Sequence, residues 1–123
     1  MAHILVIDDQ ASMRSFISQM LKDKGYQVST AGNGEEGLKL FNQDPESFDL
    51  VLADVNMPKI DGFEFLKEVK SNHPQTPVIL VTGVNEDAAN YVGKEYKADG
   101  VIEKPFKVEE TLAEIEKVIS GSR

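Results

Sequence analysis

The sequence predicts an α/β fold, a five-stranded parallel sheet with helices on both faces. Two observations predict it. Short runs rich in β-branched residues alternate strictly with segments of helical periodicity, and such alternation calls for parallel strands joined by right-handed crossovers. The first, third and fourth of these runs are almost continuously apolar, as strands are when a sheet is covered on both faces.

The first strand is "HILVI" (3–7). In the segment after it, Met13, Phe16, Ile17, Met20 and Leu21 recur at i, i+3, i+4, i+7 and i+8, and Gly25 follows as a stop. "YQVST" (26–30) alternates apolar and polar residues and reads as an edge strand. The second helix opens at Asn33 with Glu36 three residues on, a capping-box pattern, and its core residues are Leu38 and Phe41. The third strand is "DLVLA" (49–53), and the third helix carries Phe63, Leu66 and Val69, with Pro74 beyond its end. "PVILV" (77–81) is the fourth strand. The fourth helical pattern, over 85–97, has a stripe of Ala88, Ala89, Val92 and Tyr96 interrupted by Gly93. Such a helix is loosely held and is the element expected to move. "GVIEK" (100–104) is the fifth strand, and a fifth helix carries Val108, Leu112, Ile115 and Ile119.

Five β-α units fill the 123 residues, so one domain over 1–123 is expected. Cysteine is absent, which excludes disulfides, thiolate metal sites and thiol nucleophiles. No apolar stretch reaches the ~18 residues of a membrane span, and the first residues lack a signal-peptide pattern. A soluble, cytoplasmic protein is expected. Thirteen basic against 21 acidic residues give a net charge of −8, which argues against direct contact with nucleic acid or an anionic membrane.

"GNGEEG" places Gly32, Gly34 and Gly37 in the G-x-G-x-x-G spacing of a dinucleotide-binding turn. Glu35 and Glu36, however, occupy the first helical turn, where a pyrophosphate would have to sit. The match also follows the second strand rather than the first. The expected reading is a turn and a helix start neutralised by its own glutamates.

In an open parallel sheet, ligands bind beyond the carboxyl ends of the strands. There the first strand ends in Asp8 and Asp9, the third in Asp54, the fourth in Thr82 and the fifth in Lys104. Each residue type is ordinary at a strand end. Three carboxylates, a hydroxyl and an ammonium at one edge are harder to explain without a function. The acids and the ammonium sum to −2, a charge that one divalent cation neutralises. Oxygen-only ligands with room for water suit Mg²⁺.

The motifs "DD" after the first strand, "DVNMPKIDG" after the third, "TG" after the fourth and "KP" after the fifth resemble those of the receiver domain of two-component response regulators, over essentially the whole chain. The resemblance implies a flavodoxin-like sheet of order 2-1-3-4-5. It implies a signalling phosphoacceptor, not an enzyme acting on a separate substrate, that promotes its own phosphorylation and dephosphorylation. Asp54 would take the phosphoryl group from a histidine kinase or phosphotransfer protein. Asp9, Asp54 and the Asn56 carbonyl would ligate Mg²⁺, and Asp8 would hold the ion through water. Lys104, before a cis Pro105, would pair with a phosphoryl oxygen, and Thr82 would bind another. The inward movement of Thr82 would change the surface of strand 4, helix 4 and strand 5, within residues 82–106, for an unnamed downstream protein. The first helix, with Arg14 and Phe16, would be the docking surface for a phosphotransfer partner.

The sequence departs from the family pattern in three places. Val101 stands where many receivers carry Tyr or Phe, which weighs against a flagellar-motor type of output. Val84, two residues after Thr82, offers no hydrogen bond to orient an attacking water and implies slow self-dephosphorylation. The fifth helix lacks the arginines that pair across the dimer face of DNA-binding regulators, so a monomer is expected, either a stand-alone receiver or one cut from a longer protein. Three rival functions fit these residues less well. An aspartyl-phosphate phosphatase of the haloacid dehalogenase type needs an acid two residues after its nucleophile, where Asn56 stands. A flavin carrier needs a phosphate loop where Asp8 and Asp9 stand. A protein-binding receiver that is never phosphorylated would have no use for the intact site.

Overall fold

The computed structural model describes residues 2–57, 60–83 and 98–121. The chain forms β1 (His3–Ile7), α1 (Ala11–Asp23), β2 (Gln27–Ala31), α2 (Gly34–Gln43), a 3-10 turn at Pro45–Ser47, β3 (Leu50–Asp54), α3 (Gly62–Asn72), β4 (Val78–Thr82), β5 (Gly100–Glu103) and a last helix, α4 (Val108–Gly121). The strands form one parallel sheet in the order β2-β1-β3-β4-β5. The expected helix over 85–97 and residue Val84 lie outside the described residues. Among the described residues, no helix is long and apolar enough to cross a membrane.

The side-chain period of two sends alternate residues of each strand to opposite faces. Ile4 and Val6 of β1, Leu50 and Leu52 of β3, and Ile79 and Val81 of β4 pack with Ile17, Met20 and Leu21 of α1 and Ile115 and Ile119 of α4. Leu5, Ile7, Val51, Ala53, Val78 and Leu80 pack on the other face with Phe41 of α2 and Phe65, Leu66 and Val69 of α3. Every residue of β3 and β4 is buried, which is why these strands read as unbroken apolar runs. Full burial of each Leu, Val and Ile among them contributes about 1.5–3 kcal/mol. β2 lies at the sheet's edge, with its first four residues at least partly exposed.

Several boundaries and faces differ from the sequence expectation. β2, β3 and β4 each start one residue later than expected. For β4 the cause is Pro77, which has no N–H for the ladder, while its carbonyl accepts from Val51 N at 3.0 Å. Phe16, placed in the core stripe by its spacing, is 48% exposed. It lies about 100° around α1 from Ile17, off the stripe that Ile17, Met20 and Leu21 bury. In α3 the fully buried ring is Phe65, and Phe63 is only partly buried. Gly62 sets this rotation. A Cβ there would lie 2.6 Å from the Asp54 carbonyl oxygen, so the first turn of α3 presses against the end of β3 and faces residues 62, 65, 66 and 69 inward. Val108 opens the last helix 40% exposed.

The caps follow the sequence more closely. The Asn33 side chain accepts from Glu36 N at 2.8 Å, and the Glu36 carboxylate accepts from Gly32 N at 3.3 Å. Asp61 caps α3 by accepting from Glu64 N at 2.9 Å. Gly34 and Gly37 have packing reasons: a Cβ at Gly34 would collide with the Ile60 carbonyl, and one at Gly37 with the Ile7 side chain. The apparent dinucleotide fingerprint is the close approach of α2 to β1 and to the turn before α3.

Candidate functional site

The strand order reverses between β1 and β3, which are neighbours although an α-β-α stretch separates them in sequence. Asp8 follows β1 and Asp54 is the last residue of β3, so both stand at this switch point. Thr82 ends β4, and Lys104 follows β5 directly. The register pairs Asp54 with Val81 and Thr82 with Glu103. Lys104 N donates to the Thr82 carbonyl at 2.7 Å, which ties these two positions together.

Asp8 is 1% exposed, Asp54 3% and Thr82 0%, whereas Asp9 is exposed. Carboxylate oxygens of Asp8, Asp9 and Asp54 all lie within 4.8 Å of one another. Asp54 Oδ1 accepts from Asn56 N at 3.0 Å, and Oδ2 faces Lys104 Nζ at 3.0 Å. Asp8 repeats the pattern: Oδ1 accepts from Gln10 N at 2.9 Å, and Oδ2 faces Lys104 Nζ at 3.3 Å. Each carboxylate thus meets the main-chain N–H two residues on, the geometry of an Asx turn, and the two share one ammonium. The Lys104–Pro105 peptide is cis.

Two opposing effects act on this pair of acids. Burial raises the pKa of Asp54 above its ordinary value, and the charge of Asp8 adds to the rise. The bonds from Asn56 N and Lys104 oppose it without cancelling it. For Lys104, burial alone would lower the pKa. Its bond to Asp54 and the charges of Asp54 and Asp8 outweigh that and raise it. The same ion pair pulls the two groups toward their charged forms. It prevails at Lys104, whose side chain is 20% exposed and faces two carboxylates, and loses at Asp54, which is nearly sealed.

Two buried carboxylates that share one ammonium, with a third at the rim, form an oxygen-only donor set with an excess charge of −2. A hard divalent cation fits that set. The structure brings together Asp8, Asp9, Asp54 and Lys104, as expected from the strand ends. Asn56 joins through its main-chain N–H. Thr82 joins through the main-chain bond to Lys104. The pattern of strand ends had not shown the bond from Arg14 Nη1 to the Asp8 carbonyl at 2.8 Å. Its only sequence signal is a cation in the first turn of a helix.

The model of the response regulator receiver domain matches residues 4–116 of this chain. The chain belongs to the receiver-domain family. Receivers are the phosphoacceptor switches of two-component signalling. A receiver-domain protein from Clostridium thermocellum superposes with a TM-score of 0.94 at 31% identity, covering 98% of this chain and 96% of that one. Chemotaxis protein CheY4 of Vibrio cholerae superposes with a TM-score of 0.88 at 38% identity, covering 96% and 98%. The transcriptional regulatory protein CpxR homolog of Haemophilus influenzae is 38% identical over 99% of this receiver and 52% of its own length. The receiver spans about half the length of such curated relatives.

Proposed function

We propose that Asp54 is the phosphoacceptor and that it takes its phosphoryl group, in a Mg²⁺-dependent reaction, from the phosphohistidine of a histidine kinase or phosphotransfer protein. The observation that carries this reading is the position of Asp54. It is sealed at the switch point, its Oδ2 is 3.0 Å from the Lys104 ammonium, and it lies within reach of two further carboxylates. An Asp54 carboxylate oxygen attacks phosphorus. The phosphorus–nitrogen bond to the donor imidazole breaks, and its electron pair stays on the ring nitrogen. The Asn56 N–H fixes Oδ1 and so aims the carboxylate.

Asp9, Asp54 and the Asn56 carbonyl are the groups that would hold Mg²⁺, with Asp8 behind a water. The ion would supply the positive charge that lets a phosphoryl group approach three acids. Lys104 supplies the remaining charge and pairs with a phosphoryl oxygen. Thr82, whose main chain already carries Lys104, turns its hydroxyl to another oxygen. Movement of Thr82 and Lys104 reaches β5 and the groove of about 510 Å³ beside it, lined in part by Val101, Lys104, Pro105 and Thr111. This groove is the described part of the proposed output surface. Phe16, exposed on α1, suits docking to the donor protein. A net charge of −8 favours a protein over nucleic acid as the downstream partner of this domain.

Titration with Mg²⁺ and beryllofluoride, a phosphoryl mimic, followed by amide NMR, tests this reading. Shift changes are expected at Asn56, at Thr82 and Gly83, and along 100–106, only when both components are present. Changes confined to Asp54 and Asn56 would remove the coupling to β5. Binding without Mg²⁺ would remove the cation.

A further inference from the structure

Arg14 lies in the first turn of α1. Exposed N–H groups make that end of a helix unfavourable for a cation. The turn holds no acidic residue, and the Gln10 side chain provides no cap. Nothing local to the helix therefore accounts for the charge. Its Nη1 donates to the carbonyl of Asp8 at 2.8 Å. The guanidinium lies over Gly32, 3.4 Å from where a Cβ would stand, and the Glu36 carboxylate lies 3.6 Å from the same point. Arg14 thus bridges the turn after β1 to the turn after β2.

The consequence falls on Asp9. Asp8 N donates to the Ala31 carbonyl at 3.2 Å, and the Asp8 carboxylate is held by Gln10 N and Lys104. Arg14 takes the one remaining main-chain group, the carbonyl of the peptide that joins Asp8 to Asp9. With that plane fixed and Gln10 N bonded to the Asp8 carboxylate, the main chain is held on both sides of Asp9. Asp9 is the exposed member of the acid trio, and among the described residues no hydrogen bond or ion pair holds its carboxylate.

We infer that Arg14 is a positioning residue for the cation: it locks the Asp8–Asp9 peptide so that the Asp9 carboxylate stays with those of Asp8 and Asp54. The inference rests on the reading of the trio as a Mg²⁺ site. It opposes simple electrostatics, because removing a nearby positive charge should tighten binding of a dication, whereas removing a positioning group should weaken it.

The experiment is a Mg²⁺ titration read at the amides of Gln10 and Asn56, on the parent protein, Arg14→Met, Arg14→Lys, Gly32→Val and the Arg14→Met/Gly32→Val double variant. Metal-free melting temperatures are measured in parallel. Arg14→Met is expected to bind about tenfold more weakly, at the low end for an outer-shell partner of a metal site. Its metal-free melting temperature is expected to stay equal or rise, because the helix start loses an unfavourable charge. Arg14→Lys keeps the charge and one donor and should recover part of the loss. Gly32→Val crowds the guanidinium, should weaken binding alone, and should add nothing to Arg14→Met. Equal or tighter binding by Arg14→Met overturns the inference and leaves the cation site intact. A loss of affinity matched by a fall in metal-free melting temperature overturns it too, since the role is then structural. A parent protein that binds no Mg²⁺ overturns the cation reading and this inference with it.

Discussion

Asp54→Asn is expected to take no label from a phosphohistidine donor and to melt at a higher temperature than the parent at neutral pH. The two outcomes have one cause. Ionising Asp54 in the folded parent, buried beside Asp8, carries a cost that Lys104 only partly offsets. The amide keeps the shape, and its oxygen can still accept from Asn56 N, but it carries no charge and cannot attack phosphorus.

The pH dependence follows from the direction of the shift. The pKa of folded Asp54 is raised above the ordinary value of 3.8. Between the unfolded and the folded pKa, the folded state therefore binds more protons, and stability falls as pH rises through that window. The gap in melting temperature between Asp54→Asn and the parent should be absent below the unfolded pKa, widen as pH rises from the unfolded to the folded pKa, and stay constant above it. Mg²⁺ should raise the melting temperature of the parent by mass action and narrow the gap. A scan of melting temperature against pH, with and without Mg²⁺, checks all of this. A gap that is constant down to acid pH would refute the charge explanation.

Lys104→Met should lower the rate of phosphorylation on the order of 10²–10³-fold, the usual loss when one preorganised donor to developing charge is removed. It should also reduce stability at neutral pH. The ammonium bonds to two nearly sealed carboxylates at 3.0 and 3.3 Å, and without it both keep, among the described residues, only their main-chain donors. Breaking a fully buried pair costs about 3–5 kcal/mol. Because the Lys104 side chain is 20% exposed, a smaller loss of about 1–2 kcal/mol is expected. Adding Asp54→Asn to Lys104→Met should restore most of that stability, since the orphaned charge is then gone, but none of the phosphorylation. Chemical denaturation of the two single variants and the double variant measures the coupling. Additive losses would show that Lys104 does not act through Asp54.

The fold was legible wherever one physical cause dominates. β1, β3 and β4 stand out because a strand covered on both faces must be apolar throughout, and β2 because an edge strand alternates. The acidic pocket was legible because parallel strands send all their carboxyl ends to one edge, so Asp8, Asp9, Asp54, Thr82 and Lys104 had to converge once the strands were known.

Contacts between distant segments were not legible. Phe65 rather than Phe63 faces the core because Gly62 presses on the backbone of Asp54, and spacing within α3 does not show that contact. The start of β5 is set by Asp99, which accepts from Lys70 Nζ and from Val78 N, each at 2.8 Å, a link across 29 residues in the first case. The bond from Arg14 to the Asp8 carbonyl depends on how the turn after β1 folds back over α1. The motif at Gly32, Gly34 and Gly37 showed the opposite problem, since close packing and phosphate binding call for the same glycines.

The most direct measurement is to phosphorylate the protein with a phosphohistidine donor and Mg²⁺, reduce it with borohydride, and locate the product by peptide mass. Reduction converts an aspartyl phosphate to homoserine. Homoserine at position 54 alone, and none without Mg²⁺, is the predicted result. Homoserine at position 8 or 9, or equal yield without Mg²⁺, would contradict a cation-dependent acceptor at Asp54.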